Sequence, residues 1–236
     1  MKARPRYALV PGDPSRVHRL LEHLEGSRVV QGGSLLAEGT GFVGDVPVVL
    51  AATGMGGPSV VESILQLRDR GVDTFLRVGG SGPVSDAVVA GDVVVASAAV
   101  RHEGASRSLL PPSFPAVADP VVTEALRAAA ADRRPPVRCG VVHTKDSFFG
   151  EVDPSSSPVE GELRAAWRAW QRLGVLASEM EAAVLFCLAM REGMRAGAVL
   201  KVNDIGDHAS EAWDDDEDLC RLAVDGLARL ISMDHG

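Results

Sequence analysis

Apolar and polar positions alternate along this chain in two rhythms. Short runs rich in β-branched residues stand at 7–10, 46–52, 74–78, 93–99, 138–142 and 196–202. Between them lie longer segments with helical spacing of apolar residues, at 14–24, 58–70, 120–131, 159–172, 180–192 and 214–231. Strands alternating with helices predict an α/β fold around a central mixed sheet. No repeat and no clear linker divides the chain, so one domain over residues 1–236 is expected. The stretches 102–120 and 150–158 are rich in Gly, Pro and Ser. In an α/β domain such loops sit beside strand ends and carry sites. The acidic cluster 214–218 opens the last helix, where the helix dipole favours carboxylates.

Composition narrows the function classes. With 236 residues and 46% hydrophobic content, the chain can bury one sizeable α/β core or at most two small ones. Aromatics are 4%, so that core must be built of Val, Leu and Ala. The net charge of −8 argues against a nucleic-acid surface, although a few local arginines can still hold a small anion. Cys139, Cys187 and Cys220 are widely spaced, without a zinc pattern, and read as reduced core cysteines of a cytoplasmic protein. Neither a signal peptide nor a membrane-spanning run is evident.

The sharpest chemistry lies in Ala177-Ser178-Glu179-Met180-Glu181, between a strand-like run at 173–176 and a helix-like run at 182–190. Acids are costly to bury without partners. A carboxylate beside a thioether suits a ribose: it accepts from both hydroxyls while the sulfur packs on the sugar carbons. The alternative is a solvated helix start. Pro11-Gly12-Asp13-Pro14-Ser15-Arg16 follows a strand, with a glycine for close approach and an arginine one turn into the helix. That suits an oxyanion, or a tight turn with a surface arginine. Thr53-Gly54-Met55-Gly56-Gly57-Pro58-Ser59 offers backbone contact to a ligand or close strand–helix packing. Arg77 lies inside an apolar strand, where an arginine calls for a bound anion or a buried salt bridge. In Lys145-Asp146-Ser147-Phe148-Phe149-Gly150-Glu151 the paired aromatics can stack a flat heterocycle or plug the core. Asn203-Asp204 ends a strand, where Asp204 can act as a general acid on a heterocycle nitrogen or cap a turn.

In this order the motifs resemble the nucleoside phosphorylase-I family: Gly-Asp-Pro-x-Arg, Thr-Gly-x-Gly-Gly-Pro-Ser, Phe-Leu-Arg-Val-Gly, then Glu-Met-Glu. Arg101-His102-Glu103-Gly104-Ala105-Ser106, Phe114 to Asp119 and Trp170 to Val175 look like its uridine phosphorylase branch. The resemblance spans about residues 7–205. It implies a phosphorylase/hydrolase-like three-layer α/β/α sandwich, assembled as a homodimer or homohexamer. It also implies phosphorolysis of a nucleoside to free base and ribose 1-phosphate. Phosphate is co-substrate, and no metal or organic cofactor takes part. By resemblance Gly12, Arg16 and Arg77 fall at the phosphate, with Ser81 as the candidate hydroxyl beside them. Glu179, Met180 and Glu181 fall at the ribose and Phe148 at the base, with Glu151 and Asp204 as candidate base-reading residues. Asp204, Glu181 and Arg77 carry the catalytic roles.

The chain departs from the pattern in several places. Gly80 stands where a phosphate-binding Thr or Ser is usual, with Ser81 one step late. The segment 33–45 holds no arginine to serve a neighbouring subunit, and the short N-terminal arm lacks the family's histidine. The Gln and Arg that read uracil are replaced by Glu151-Val152-Asp153. Losing one arginine and one hydroxyl weakens phosphate by roughly 100-fold or more, at about 1.5–3 and about 1 kcal/mol. Glu151 accepts only, so it suits a donor-rich edge such as guanine, an aminopurine or cytosine. The expectation is a nucleoside phosphorylase of uridine phosphorylase-like frame, with base specificity altered from uracil. The alternatives are a nucleoside hydrolase on the same scaffold and a non-catalytic nucleoside-binding relative.

Overall fold

The computed structural model describes residues 5–33, 35–133, 137–203 and 216–236. Its first strand, β1 (Tyr7–Pro11), is buried along its length. Asp13 ends the approach to the next element. Its carboxylate accepts from Ser15 N–H at 2.8 Å and caps α1 (Pro14–Leu21), with Pro14 in the first turn where its missing N–H is not needed.

Two strands that the apolar pattern does not announce come next: β2 (Glu25–Val30) and β3 (Glu38–Val43), antiparallel to each other. Their sequences are rich in glycine and charge. Gly39 faces the end of α1 and Gly41 the segment after it, so closely that a Cβ would stand 2.9 Å from Leu21 and 2.7 Å from Leu24. The helix lies on this strand because the side chains are absent.

The remaining elements are β4 (Val46–Ala51), α2 (Gly57–Asp69), β5 (Thr74–Pro83), β6 (Val93–His102), α3 (Ala105–Leu109), β7 (Ala116–Val117), α4 (Pro120–Ala129), β8 (Arg138–Lys145) and α5 (Phe149–Val152). After a 3-10 turn (Pro154–Ser156) follow α6 (Glu160–Arg172), β9 (Ala177–Glu179), α7 (Ala182–Glu192), β10 (Arg195–Val202) and α8 (Glu217–His235). The strands join in the order β10-β6-β8-β9-β5-β1-β4-β3-β2, with β7 on β6. Pairing is mixed: β1 runs parallel to β4 and β5, while β9 runs antiparallel to β5 and parallel to β8. β10 also bonds β5, so five strands close on themselves and make that part of the sheet barrel-like.

Helices cover both sides, as the expected α/β/α layering requires. Ile64, Phe186 and Leu188 from α2 and α7 pack one face with Phe75. Leu20, Leu126 and Leu227 from α1, α4 and α8 pack the other. The core is Val, Leu and Ala with few aromatics.

Several boundaries differ from the apolar pattern, most of them around the functional motifs. β5, β6 and β8 continue past their apolar runs to Pro83, His102 and Lys145, because polar residues still pair in register, His102 opposite Lys145. Leu173 caps α6 rather than starting a strand, and β9 begins at Ala177 and includes Glu179. α7 begins at Ala182, two residues late, because the Glu179 carboxylate accepts from the N–H groups of Glu181 and Ala182 and holds a turn there. Cys187 and Cys220 are buried free thiols, but Cys139 is exposed and is not the core cysteine expected of it. Among the described residues no helix is long and apolar enough to cross a membrane, and no His/Cys/Asp/Glu group is placed to hold a metal.

Candidate active site

The junction of β9 with α7 meets the end of β5. Arg77 is buried there, and its guanidinium bonds both acids of the Glu-Met-Glu: Nε to Glu179 Oε2 at 3.1 Å, and Nη2 to Glu181 Oε2. The two carboxylates do different work. Glu179 accepts from Arg77, from Thr144 Oγ1 at 2.5 Å and from the N–H groups of residues 181 and 182. Its lone pairs are filled by its own chain, and it fixes the turn. Glu181 uses one oxygen for Arg77 and the other for the Gly56 N–H at 2.6 Å. Burial pushes its pKa up and Glu179 adds to this, with Arg77 acting in opposition. Met180 lies half-buried between them.

The glycine segments explain how the chain comes so close. Gly54 and Gly56 have φ of +74° and +83°, backbone that a side chain disfavours. Gly12 meets them: a Cβ there would stand 3.2 Å from the Gly54 carbonyl and 3.8 Å from Arg77 Nη1. Arg77 therefore turns Nε and Nη2 to the carboxylates and Nη1 toward the Gly12 backbone. A slot between a guanidinium edge and glycine backbone is suited to an oxyanion.

Arg16 and Ser81 are placed otherwise. Arg16, 2% exposed, is neither a surface residue nor bonded to the Arg77 cluster. It bonds Asp216 through Nε at 2.8 Å and Nη2 at 2.5 Å, and the Val78 carbonyl through Nη1 at 3.3 Å. Ser81 Oγ donates to the Lys201 carbonyl at 3.0 Å. Asp204 lies outside the described residues.

The aromatic pair is not a core plug: Phe148 is 38% and Phe149 70% exposed. Beside Phe148 stands a polar cluster that the linear motifs did not assemble. Lys145 Nζ lies 5.6 Å from the Phe148 ring centroid, bonds Glu151 Oε2 and donates to Ser178 Oγ at 2.8 Å. Ser178 donates to Glu151 Oε1 at 2.7 Å, and His143 Nδ1 lies 3.0 Å from that same oxygen. His143 Nε2 is in turn 2.9 Å from His102 Nδ1. Burial works to raise the Glu151 pKa, but the His143 hydrogen bond and the Lys145 ammonium outweigh it and hold the carboxyl below its usual range. Burial, then His143, lowers the His102 pKa. Glu151 is thus one half of an ion pair with Lys145.

The signal for this cluster was strand alternation. His143 and Lys145 are two apart on β8, and Ser178 is opposite His143 on β9, so all share a face. Thr144 and Glu179, opposite each other in the same pair, take the other face. A cavity of about 600 Å³ opens beside the cluster, lined by Lys145, Glu151, Trp167 and Trp170 among others. That volume lies within the range of small-ligand sites.

The fold is a mixed sheet, partly closed into a barrel and flanked by helices, with a buried Arg77–Glu179–Glu181 cluster against glycine backbone. The chain belongs to the phosphorylase superfamily, whose family model matches residues 6–232. It is a nucleoside phosphorylase, a pentosyltransferase, of uridine phosphorylase-like kind, and the substrates this implies are a nucleoside and phosphate. Uridine phosphorylase of Treponema pallidum (strain Nichols) is 39% identical over 235 residues, 97% of this chain and 90% of that protein. Uridine phosphorylase of Escherichia coli (strain K12) is 34% identical over 198 residues, 83% of this chain and 78% of that one. Guanosine phosphorylase of Halorubrum lacusprofundi is 32% identical over 225 residues, 95% of this chain and 89% of that one.

Proposed function

We propose that this chain splits the N-glycosidic bond of a ribonucleoside with phosphate to give free base and ribose 1-phosphate, with base specificity altered from uracil toward purines. The observation that carries the reading is the convergence of Arg77, Glu181 and the Gly12 and Gly56 backbone at one point. Phosphate sits against Gly12 and the Nη1 edge of Arg77, with Arg16 and Ser81 as further ligands once they turn from Asp216 and Lys201. Glu181 holds the ribose hydroxyls, with Met180 on the sugar carbons and Glu179 fixing the turn beneath them. As the C1′–N bond lengthens, positive charge builds on the sugar and the bound phosphate offsets it. A phosphate oxygen then bonds C1′, and the base leaves with the electron pair and takes a proton. Orientation by Glu181 supplies much of the rate.

Phe148 stacks on the base, and Glu151 reads its edge; Asp204 is assigned the proton to a purine nitrogen. The shift from uracil draws support from the replaced Gln and Arg and from the guanosine phosphorylase among the relatives. The whole chain acts as one catalytic domain, in the cytoplasm, as a homodimer or homohexamer; light scattering on the purified protein decides the last point.

The test incubates the protein with purine and pyrimidine nucleosides, with and without phosphate, and resolves bases and sugars by chromatography. Phosphate-dependent base release with ribose 1-phosphate is expected. Free ribose at any phosphate concentration would instead identify a hydrolase.

A further inference from the structure

We infer that His102 and His143 are positioning residues for Glu151. A chain of hydrogen bonds from the surface puts the proton of His143 on Nδ1 and so locks the carboxylate at the cavity wall. The effect on rate rests on the phosphorolysis reading, in which Glu151 meets the base; the chain of bonds does not.

His143 on β8 is 2% exposed, while His102 at the end of β6 reaches the surface. His143 Nδ1 lies 3.0 Å from both Glu151 Oε1 and Ser178 Oγ, and its Nε2 lies 2.9 Å from His102 Nδ1. Trp170 flanks both imidazoles, with ring centroids 5.8 Å from His143 and 6.0 Å from His102. Trp167 meets His143 edge-on at 6.5 Å. The rings are packed in place, so what remains to be fixed is where their protons sit.

The donors and acceptors around His143 fix that. An ionised carboxylate only accepts, an ammonium only donates, and a serine hydroxyl has one proton to give. Glu151 takes the Ser178 proton at 2.7 Å, and Lys145 donates to both Glu151 and Ser178. His143 Nδ1 therefore faces two groups with no proton left for it and must carry its own. The Glu151 charge is already matched by the Lys145 ammonium, so a second buried cation on His143 would be uncompensated. A neutral imidazole with its proton on Nδ1 has a bare Nε2, which accepts from His102 Nδ1. Every proton in the chain then points inward, from the exposed His102 to the carboxylate.

The surrounding charges agree with this direction. His102 is faced by His143 of β8, Arg107 of α3, Asp146 after β8 and Glu151 of α5, and Arg164 and Arg168 of α6 line the cavity beside it. Burial, then His143 and Arg107, pull the His102 pKa below its usual value against the two acids. At neutral pH its one proton is therefore available to sit on Nδ1. At the other end, burial works to raise the Glu151 pKa, and the His143 hydrogen bond leads the contacts that lower it instead. Without that bond the carboxylate would take up a proton at higher pH.

The experiment exchanges a donor for an acceptor at one position. His102→Asn places an amide N–H near the position of Nδ1, and His102→Asp an isosteric carboxylate that only accepts. Nitrogen-15 NMR of histidine-labelled protein reads the tautomer, with the His143 signals assigned by their loss in His143→Asn. We expect His143 as Nδ1–H in the parent and in His102→Asn. In His102→Asp it should become imidazolium, because acceptors then stand at both nitrogens. With a charge-assisted hydrogen bond at stake, kcat/KM should fall about tenfold or more in His102→Asp and less than about threefold in His102→Asn. His143→Leu should show a similar loss, with the acid limb of its pH profile moved up. His143→Asn should recover most of it, because its amide can donate to Glu151 in place of Nδ1. An Nε2–H or imidazolium form of His143 in the parent overturns the proposal. So does a His143 signal unchanged in His102→Asp, or an acid limb unmoved in His143→Leu. Should no nucleoside be turned over, the phosphorolysis reading fails, and the His143 spectra still decide this one.

Discussion

Arg16 and Asp216, 200 positions apart in sequence, form a buried ion pair in which two guanidinium nitrogens bond one carboxylate oxygen, at 2.8 and 2.5 Å. This pairing engages an arginine that the Gly-Asp-Pro-x-Arg motif assigns to phosphate. Breaking a buried pair from one side leaves an uncompensated charge, which costs about 3–5 kcal/mol. Asp216→Ala should therefore lower the urea midpoint markedly. It should also make stability respond more steeply to inorganic phosphate, since a ligand that binds only the folded state stabilises it by mass action. Urea titrations with and without phosphate measure both effects. If phosphate shifts the variant no more than the parent, Arg16 has no part in phosphate binding.

Glu181 bridges Arg77 and the Gly56 N–H, and burial raises its pKa. A raised carboxyl pKa contributes stability that is complete below the ordinary glutamate range and is lost as pH rises through the raised value. Glu181→Gln should flatten that loss. It should also reduce kcat/KM by about 100-fold, since a charge-assisted hydrogen bond to the ribose contributes about 1.5–3 kcal/mol. Thermal melts across pH, paired with initial rates, check the two halves separately. Full activity in this variant would move the ribose site elsewhere.

Phe148 is partly exposed and packs little core. Stacking a base on an aromatic ring is worth about 1–3 kcal/mol. Phe148→Ala should raise the nucleoside KM by about 5- to 150-fold with an unchanged melting temperature. A fall in melting temperature with an unchanged KM would make the ring a structural residue.

Asp234 closes the far end of the molecule, accepting from Arg195 at 2.8 and 2.5 Å and from the Tyr7 hydroxyl at 2.8 Å. The Arg195 hydrogen bonds lower its pKa to about 2, against some burial, with Tyr7 helping. A depressed carboxyl pKa contributes stability present above about pH 4, lost as pH falls toward 2. Asp234→Asn should be less stable than the parent at pH 6 and should converge with it near pH 2. Acid titration followed by circular dichroism shows whether the curves meet.

The sequence by itself determined the alternation of strands and helices, the Val-Leu-Ala core, and the placing of Arg77 inside an apolar strand and of Glu181 at a strand–helix junction. These are local signals: periodicity, caps such as Asp13, and charge inside an apolar run. It did not reveal β2 and β3, because glycine and charged residues carry no strand pattern, and β3 packs through Gly39 and Gly41 against Leu21 and Leu24. Nor did it join Lys145 to Ser178, or Arg16 to Asp216, since such contacts are made by strands and helices distant in the chain. Only the tertiary structure decided those partners. A hydrogen bond or ion pair depends on distance in space, and the closing of β10 against β5 and the setting of β9 between β5 and β8 fix those distances.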